Sequence, residues 1–520
     1  MNFSWHTRVP LAIASGAALA LSFPNYNFSL LAWVAVGWLV LASLGAPPAE
    51  APLYGFLHGL VFYPLCLPWI DTVMRQYGNV DPWSAAGILG LLTIVLALAT
   101  AFFSWSIAFT SSKGGRLACL LAPFLWVALE FLRSHLPIVS FPWNLAGYAA
   151  SGNLPLVQVT VLTGIYGLSF IIVAYSSVIV HAILAGTERA WKTALAFTAV
   201  LILISAGGNY FVPVETPHHT ARLVQTNFPQ SEQYPANWFE MHTDELEQLE
   251  RISVKAAPEP PRLIIWPEVP APFSFADPKF AQRAARIARE SGADFLVGVV
   301  DWKRDAAGKW LASNSAVLLD PSGQRIFSYD KIHLVPFGEY VPLRRWLSFA
   351  GRLTADISDF TPGWDSRVGR LPGGRFGTFI CYEAVFPAEI RQFTVGGAEL
   401  LINISNDGWF GRSSAPAQHL MMARVRAVEN RRWLLRDTNN GFTVVVDPYG
   451  RIVRRLPTDV RRELDAPYDF RSGLTPYARF GDWFAWLCVI ATVAIMARAA
   501  LTQSRATPIG STEGGTRQRI

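Results

Sequence analysis

A thiol ends a short apolar run in the last third of the chain. In residues 379–383, Phe-Ile-Cys-Tyr-Glu, polar residues follow Cys381 at once. A strand that ends at a thiol and turns into a helical stretch, here Ala388 to Phe393, presents the sulfur where nucleophiles are commonly displayed. Free cysteine is also among the most buried residue types, so a small core side chain is the competing interpretation.

Two charged residues follow other strand-like runs. Glu268 stands between two prolines and next to Trp266, a setting that can raise a carboxyl pKa into the range of a general base; a solvated loop acid is the alternative. Lys331 lies among apolar and aromatic residues, where a cation could lower the pKa of a nearby thiol and stabilise an oxyanion; a surface lysine is the alternative.

The remaining cysteines lie in apolar runs, and the four cysteines show no paired or metal-ligand spacing. They are Cys66, Cys119 and Cys488. We therefore expect no disulfide at Cys381, no metal site and no cofactor.

The composition is that of a membrane protein. The chain has 520 residues, which is long enough for two or three domains. Of these residues 51% are hydrophobic and only 16% are charged, which is too apolar for an ordinary soluble protein. The net charge of +6 is modest, and no basic block with interleaved aromatic residues occurs, so nucleic acid is not expected as a partner.

Seven apolar runs of near-spanning length precede residue 215, and an eighth closes the chain. They cover about Val9 to Phe23, Phe28 to Leu44, Pro52 to Ile70, Ala86 to Thr110, Leu117 to Leu132, Leu156 to Leu184, Ala194 to Phe211 and Trp483 to Ala500. The first run could be a cleaved secretory signal, but the next begins after only a few residues, which favours a retained span. Lys and Arg accumulate in cytoplasmic loops, and their pattern here places residues 215–480 outside the cytoplasm.

The middle region has the pattern of an α/β domain, because short β-rich runs alternate with helical ones. The predicted strands are Leu223 to Gln225, Leu263 to Trp266, Phe295 to Val300, Ala316 to Leu319, Arg325 to Tyr329, Phe376 to Cys381, Leu400 to Ser405 and Phe442 to Val446. The predicted helices are Pro278 to Ser291 and Gln418 to Arg431. Turns at Asp320 to Gly323 and Asp447 to Gly450 each predict a hairpin.

The predicted organisation has four parts. Residues 1–214 form a seven-span transmembrane domain, and residues 215–480 form the catalytic domain. Residues 481–502 are the eighth span, and residues 503–520 are a disordered cytoplasmic tail.

The order and contexts of Glu268, Lys331 and Cys381 are similar to the carbon-nitrogen hydrolase (nitrilase) superfamily, whose hallmark is a Glu-Lys-Cys triad at successive strand ends. With spans on both sides of such a domain, the whole chain resembles the apolipoprotein N-acyltransferase family. The local patterns that carry this resemblance are Phe141 to Trp143, Gly147-Tyr148, Val224 to Asn227, Pro229 to Ser231, Asn403 to Gly411, Gln418 to Glu429 and Thr438 to Gly441.

The resemblance implies an αββα sandwich on a multi-span membrane domain and a ping-pong acyl transfer through a Cys381 thioester. It implies a phospholipid donor, a diacylglyceryl-modified apolipoprotein acceptor, and a site on the periplasmic face of a bacterial inner membrane. It nominates Glu339, Tyr382 and Glu383 as supporting residues. Where the family commonly has an important tryptophan, this chain offers Tyr234 or Trp238. We expect a monomer in the lipid bilayer.

Two further expectations concern the membrane. Residues 341–349 mix Arg with Trp, Leu and Phe, which predicts a membrane-touching lid or, alternatively, a plain surface helix. Glu130 and Arg133 flank the end of the fifth span and are either functional or simply reach for the interface.

The competing functions are a membrane-anchored amidase of the same superfamily, and a transporter or lipid-binding protein with an inert soluble domain.

Overall fold

The computed structural model describes residues 3–78, 80–115, 117–136, 140–231, 234–305, 307–336, 338–340 and 360–504. The predicted lid at 341–349 and most of the predicted tail lie outside these residues.

The first half of the chain is helical. Its helices are α1 Trp5–Leu21, α2 Ala32–Ser43, α3 Ala51–Cys66, α4 Pro68–Gln76, α5 Pro82–Gly114, α6 Leu117–His135, α7 Leu154–Val157, α8 Thr160–Thr163, α9 Ile165–Ala185 and α10 Glu188–Gly207. The start of α5 shows how the sequence sets a boundary. Asp81 caps it by accepting from the main-chain N–H groups of Trp83 and Ser84, and Pro82 occupies the first turn, where no N–H is needed.

Among the described residues, five helices are long and apolar enough to cross a membrane. They are Pro82–Lys113, Leu117–His135, Ile165–Ala185, Glu188–Phe211 and Trp483–Leu501. A sixth would be the pair α3 and α4, which is bent by 49° at the break between Cys66 and Pro68. Because α1 and α2 are shorter than these spans, the count of eight and the four-part division stay predictions.

The predicted run from Leu156 to Leu184 is not continuous. Helices α7 and α8 are single turns, and the long helix α9 starts only after Gly164. Gly164 has a φ of +65°, and a Cβ there would lie 2.6 Å from the ring of Tyr477. This close approach of the C-terminal half interrupts the helix at Gly164, and the helix within the predicted run that is long enough to cross a membrane is Ile165–Ala185.

The second half contains two six-stranded sheets. The first has the order β12-β1-β2-β3-β4-β5 and the second β11-β10-β9-β8-β7-β6. The strands are β1 His219–Gln225, β2 Leu263–Ile265, β3 Asp294–Arg304, β4 Trp310–Leu319, β5 Arg325–Asp330, β6 Val368–Leu371, β7 Gly374–Ile380, β8 Leu400–Ser405, β9 Trp433–Thr438, β10 Val444–Val446, β11 Ile452–Arg455 and β12 Arg462–Tyr468. The helices are α11 Trp238–Met241, α12 Thr243–Ser253, α13 Pro278–Ser291, α14 Pro387–Val395, α15 Ala415–Asn430, α16 Pro476–Phe480 and α17 Trp483–Ser504.

Helices cover both outer faces of the paired sheets, which gives the predicted αββα sandwich. The inner faces share one core that includes Leu296 and Leu318 of the first sheet and Ile402 and Leu435 of the second. Helices α12 and α13 pack on the outside of the first sheet. Helix α15 lies between the second sheet and the apolar helices, because its two faces belong to the sandwich core and to the bundle core.

The parallel strands bring the candidate residues to one edge. In the first sheet β2 pairs in parallel with β1 and β3, and in the second sheet β8 pairs in parallel with β7 and β9. All six residues of β8 are buried, as expected for a central parallel strand. Both predicted hairpins are confirmed, since β4 pairs with β5 and β10 with β11 in antiparallel register.

Candidate active site

Cys381 stands where β7 ends. The strand stops at Ile380, and Cys381 begins a 3₁₀ turn that runs to Val385 before α14 starts. The φ of Cys381 is +50°, a left-handed conformation that a residue with a side chain adopts only where its surroundings hold it. Only 6% of the residue is exposed, so the predicted strand-end thiol is present and is shielded from water.

Glu268 follows β2 and is buried at 4% exposure. Its Oε1 atom accepts from the side-chain amide of Asn314 at 2.7 Å, and its Oε2 atom accepts from the main-chain N–H of Asn406 at 2.8 Å. The carboxylate is therefore not a solvated loop acid. It is fixed by donors from β4 and from the end of β8.

Lys331 follows β5 and is buried between two carboxylates. Its Nζ atom donates to Oε1 of Glu268 at 3.1 Å and to Oε1 of Glu339 at 2.9 Å. Burial alone would lower the pKa of Lys331, but these two carboxylates outweigh it and hold that pKa well above its usual value. The ammonium group is therefore a permanent cation.

Glu339 completes this group, which we propose to be catalytic and call the catalytic cluster: Glu268, Asn314, Lys331 and Glu339. The amide of Asn314 donates to Oε1 of Glu339 at 2.8 Å, and the main-chain N–H of Val335 donates to the other oxygen at 2.8 Å. The cluster holds two carboxylates and one ammonium, so it carries a surplus negative charge in a buried place.

The Cys381 thiol is close enough to the cluster for the charges of Glu268 and Lys331 to affect its pKa. Burial, followed by the carboxylate of Glu268, raises its pKa well above the ordinary value, while Lys331 acts in the opposite direction. At rest the sulfur is thus protonated, and it needs a base to become a nucleophile. A carboxylate such as that of Glu268 can serve as a general base, and an ammonium such as that of Lys331 can stabilise an oxyanion.

Glu383 ties the two strand ends together. Its Oε1 atom accepts from the Tyr329 hydroxyl and from the Ile332 N–H, each at 2.7 Å, and from the His333 N–H at 3.1 Å. Its Oε2 atom accepts from the Ile380 N–H at 2.6 Å. Burial raises the pKa of Glu383 to about 7 despite these donors. Glu383 thus joins the loop of Lys331 to the turn of Cys381.

Tyr382 faces the helical half of the molecule. Its ring stacks on Trp143 with centroids 6.2 Å apart, and Phe386 packs against it. Trp143 also donates from its indole nitrogen to the side-chain oxygen of Gln418 at 2.7 Å. The ring of Trp143, which we call the Trp143 wall, therefore brings the first half of the chain beside the residue that follows Cys381.

The two candidates for the family's tryptophan are separate from this wall. Trp238 is buried in the core of the first sheet and stacks on His242. Tyr234 packs on the edge of that core, with its ring 6.1 Å from Trp238, and burial raises its pKa to about 12. Their roles stay predictions, although Gln230 of the same loop does reach the site, by accepting from the side chain of Asn406 at 2.7 Å.

Glu130 and Arg133 do not reach for the interface, because both are buried. Glu130 accepts from the indole of Trp126 and from the main-chain N–H of Ala146. Arg133 donates to the hydroxyl of Tyr63 at 3.4 Å. By holding Ala146, Glu130 fixes the loop that carries Trp143.

Reasoning from sequence missed two asparagines, Asn314 and Asn406, that hold Glu268. Asn406 belongs to the motif at 403–411, which was the available signal, whereas nothing in the sequence marks Asn314. Within the part of the chain that the structure describes, no group of three or more His, Cys, Asp or Glu side chains could hold a metal ion.

The fold and the site define a class: a carbon-nitrogen hydrolase domain joined to a bundle of membrane-type helices. A family model described as carbon-nitrogen hydrolase matches residues 220–465, and one described as the apolipoprotein N-acyltransferase N-terminal domain matches residues 15–178.

Relatives extend the match over the chain. The apolipoprotein N-acyltransferase of Geobacter metallireducens is 38% identical over 501 residues, which cover 94% of this chain and 94% of that protein. That of Methylococcus capsulatus is 33% identical over 485 residues, which cover 91% and 92%. The chain belongs to the apolipoprotein N-acyltransferase family, and it is an acyltransferase with a nitrilase-like domain.

Proposed function

We propose that the protein moves a fatty acyl chain from a phospholipid to the N-terminal amine of a diacylglyceryl-cysteine apolipoprotein, through a thioester on Cys381. The observation that carries this proposal is the buried Lys331 ammonium, which contacts Glu268 and Glu339 and acts on the Cys381 thiol. The relatives' printed name, apolipoprotein N-acyltransferase, supports the acceptor and the reaction.

In the first half-reaction Glu268 removes the proton from Sγ of Cys381, and the thiolate attacks the carbonyl carbon of a phospholipid ester. The Lys331 ammonium and a main-chain N–H stabilise the oxyanion that forms. The carbon–oxygen bond to glycerol then breaks, and the leaving oxygen takes the proton from Glu268. A lysophospholipid departs, and the acyl chain stays on sulfur.

In the second half-reaction the free α-amine of the acceptor attacks the thioester and gives a proton to Glu268. The carbon–sulfur bond breaks, the thiolate recovers the proton from Glu268, and an amide is formed. Both half-reactions use the same base and the same cation, as expected for a ping-pong enzyme in which both substrates react at one thiol.

Burial explains why an amine and not water is the acceptor. Cys381 and Lys331 are 6% and 1% exposed, so a thioester formed there is protected from hydrolysis. In this proposal Glu339 and Glu383 position the cation and the thiol, and Tyr382 with Trp143 borders the substrate. The site lies on the periplasmic face of a bacterial inner membrane, and the working unit is a monomer.

Intact-protein mass spectrometry of the membrane-purified chain tests the thioester. After incubation with phospholipid, we expect one acyl adduct that hydroxylamine removes and that a diacylglyceryl lipopeptide removes by accepting the chain. The adduct should be absent in Cys381→Ala and retained in Cys119→Ala, which removes a thiol from the helical half. A fully active Cys381→Ala protein contradicts the proposal, and release of free fatty acid without lipopeptide acylation favours a hydrolase.

A further inference from the structure

His419 is fully buried on α15 and touches the main chain of Cys381. Its Nε2 atom lies 2.9 Å from the carbonyl oxygen of Cys381. Its Nδ1 atom lies 3.2 Å from the guanidinium of Arg436 and 3.3 Å from Oδ1 of Asp407. The imidazole therefore connects the residue that carries the thiol to a buried ion pair.

That ion pair is tightly held. Arg436 donates to both carboxylate oxygens of Asp407, at 3.0 and 2.9 Å, and the Ser405 hydroxyl donates to Asp407 at 2.9 Å. Arg436 also donates to the side chain of Asn403 in β8. Burial would raise the pKa of Asp407, but the guanidinium of Arg436 outweighs it and holds that pKa well below its usual range. The carboxylate is therefore ionised and already neutralised by Arg436.

The contacts fix the tautomer of His419. A carbonyl oxygen can only accept, so Nε2 must carry a hydrogen and donate to Cys381. Burial and the charge of Arg436 lower the pKa of His419, so the ring is neutral. Nδ1 then has no hydrogen and accepts from Arg436. The imidazole is locked at both nitrogens and presents a single donor to the Cys381 carbonyl.

The direction of that carbonyl decides where the next N–H points. The carbonyl of Cys381 and the N–H of Tyr382 belong to one planar trans peptide group, so they point in opposite directions. Cys381 also has the strained φ of +50°, which leaves the peptide group dependent on its contacts. A hydrogen bond that holds the carbonyl thus also aims the N–H.

We propose that His419 is a positioning residue, which aims the main-chain N–H of Tyr382 at the oxyanion of the tetrahedral intermediate by holding the Cys381 carbonyl. This inference rests on the proposed function, because it takes Cys381 as the nucleophile. Asp407 and Arg436 serve the same end by holding the imidazole in one tautomer and one orientation. Lys331 and this N–H then approach the oxyanion as two donors.

The test separates attack by sulfur from stabilisation of the oxyanion. Alkylation of Cys381 by iodoacetamide needs the nucleophile but forms no tetrahedral intermediate, whereas acylation by phospholipid needs both. Removal of one oxyanion donor commonly costs about 10²–10³ in rate. For His419→Leu we expect acyl-enzyme formation to fall about 10- to 100-fold with KM little changed, while the alkylation rate stays within about threefold of the parent.

Two further variants keep the test decisive. In His419→Gln an amide N–H replaces the Nε2 donor, and it should recover at least about tenfold of the lost acylation rate. His135→Leu is the matched control, because the His135 imidazole contacts the Phe131 carbonyl in α6 instead of the nucleophile. Its acylation rate should be unchanged.

Equal loss of alkylation and acylation in His419→Leu, or no recovery in a stably folded His419→Gln, overturns the role of His419. Acyl-enzyme formation in Cys381→Ala would instead overturn the proposed function, so the two failures are distinguishable.

Discussion

Two places in the described part of the chain bury a lysine or arginine against glutamate, and they differ in the number of carboxylates for each cation. In the catalytic cluster, the Lys331 ammonium contacts two carboxylates, those of Glu268 and Glu339. At the junction of the two halves, the Arg426 guanidinium contacts one carboxylate, that of Glu429, with Nε and Oε2 3.0 Å apart and both side chains fully buried.

The two residues of the junction pair also form hydrogen bonds with main-chain groups and with a tyrosine hydroxyl. Arg426 donates to the hydroxyl of Tyr148 at 2.9 Å, and Glu429 accepts from the N–H of Ile165, where α9 begins. Thr475 donates to the carbonyl of Glu429 at 2.6 Å. These contacts connect α15 to the helical half on one side and to the segment before α17 on the other.

The difference in balance explains the difference in role. The junction pair holds one carboxylate for one cation, so it can dock two surfaces without leaving a carboxylate that no cation matches. The catalytic cluster carries one carboxylate more than its cation neutralises, and that surplus acts on the thiol. Of these two clusters, the one whose charges do not cancel is the one that acts on the thiol.

Lys331→Met gives the largest expected effect. Without the ammonium, Glu268 and Glu339 repel each other and share a proton, so the base and the oxyanion donor are lost together. We expect the rate of acyl-enzyme formation to fall by about 10³ or more, which corresponds to about 4 kcal/mol or more. Single-turnover mass spectrometry measures it.

Lys303→Met is the matched control, since the Lys303 ammonium contacts Asp330 on the surface side of the same strand end. Its rate should stay within about threefold of the parent. A Lys331→Met protein that keeps a tenth of the activity would remove the distinction between the two buried clusters.

Much of the sandwich could be predicted because its central strands follow local rules. Leu400 to Ser405 was predicted to the residue, as an apolar run between turn signals. Strand β9, Trp433–Thr438, was missed because it contains Arg436 and Asp437 and follows a helix directly. Both charged side chains are buried, and the contact of Arg436 with Asp407 joins residues far apart in sequence. Strands β6 and β12 were missed as well, whereas β11 was predicted only as the second strand of the hairpin at Asp447 to Gly450.

The site divides in the same way. The three strand-end residues were predictable from their order and local contexts, because parallel strands bring such ends together. Asn314 and His419 were not, because an asparagine inside a strand and a histidine on a helix have no pattern that reveals their contacts. The break at Gly164 depends on contact with the ring of Tyr477, which is distant in sequence, so no local sequence pattern predicts it.

Arg426→Met tests the junction pair. It leaves the Glu429 carboxylate buried without its cation, and loss of one partner of a buried pair costs about 3–5 kcal/mol. We expect a lower Tm, with acyl-enzyme formation per folded molecule close to that of the parent. The double variant Arg426→Met with Glu429→Gln should recover most of the Tm, because the amide oxygen can still accept from Ile165. A double variant as unstable as the single one would show that charge is not what matters there.

Glu383 extends the comparison to a buried carboxylate whose four partners are all neutral donors. Its folded-state pKa of about 7 lies above the ordinary value of 4.5, so the folded protein keeps a proton that the unfolded chain loses between these values. Stability therefore falls as the pH rises through this window, by about 3 kcal/mol, and is level above it. Thermal unfolding of the parent and of Glu383→Gln across this range should show a Tm difference that changes only within the window. A constant difference would contradict it.

Gln418 gives the smallest expected effect and the finest test of the comparison, because it joins the two halves without any charge. Its amide nitrogen donates to the carbonyls of Pro24 and Cys66, and its oxygen accepts from Trp143, whose ring stacks on Tyr382. In Gln418→Leu the Trp143 wall loses its anchor, and we expect kcat with phospholipid vesicles to fall about three- to tenfold, or about 1 kcal/mol.

Gln158→Leu is the matched control for Gln418→Leu. Gln158 also makes three hydrogen bonds, because its amide nitrogen donates to the carbonyls of Leu154 and Tyr449 and its oxygen accepts from Arg431. The bonds to Tyr449 and Arg431 join the two halves, and none of the three involves Trp143. If docking alone sets the rate, both variants lose stability and activity in parallel. If the ring of Trp143 positions the substrate, only Gln418→Leu loses kcat at equal folded fraction. The uncharged contacts of Gln418 then affect catalysis as well as the docking of the two halves, whereas the Arg426–Glu429 pair affects docking alone.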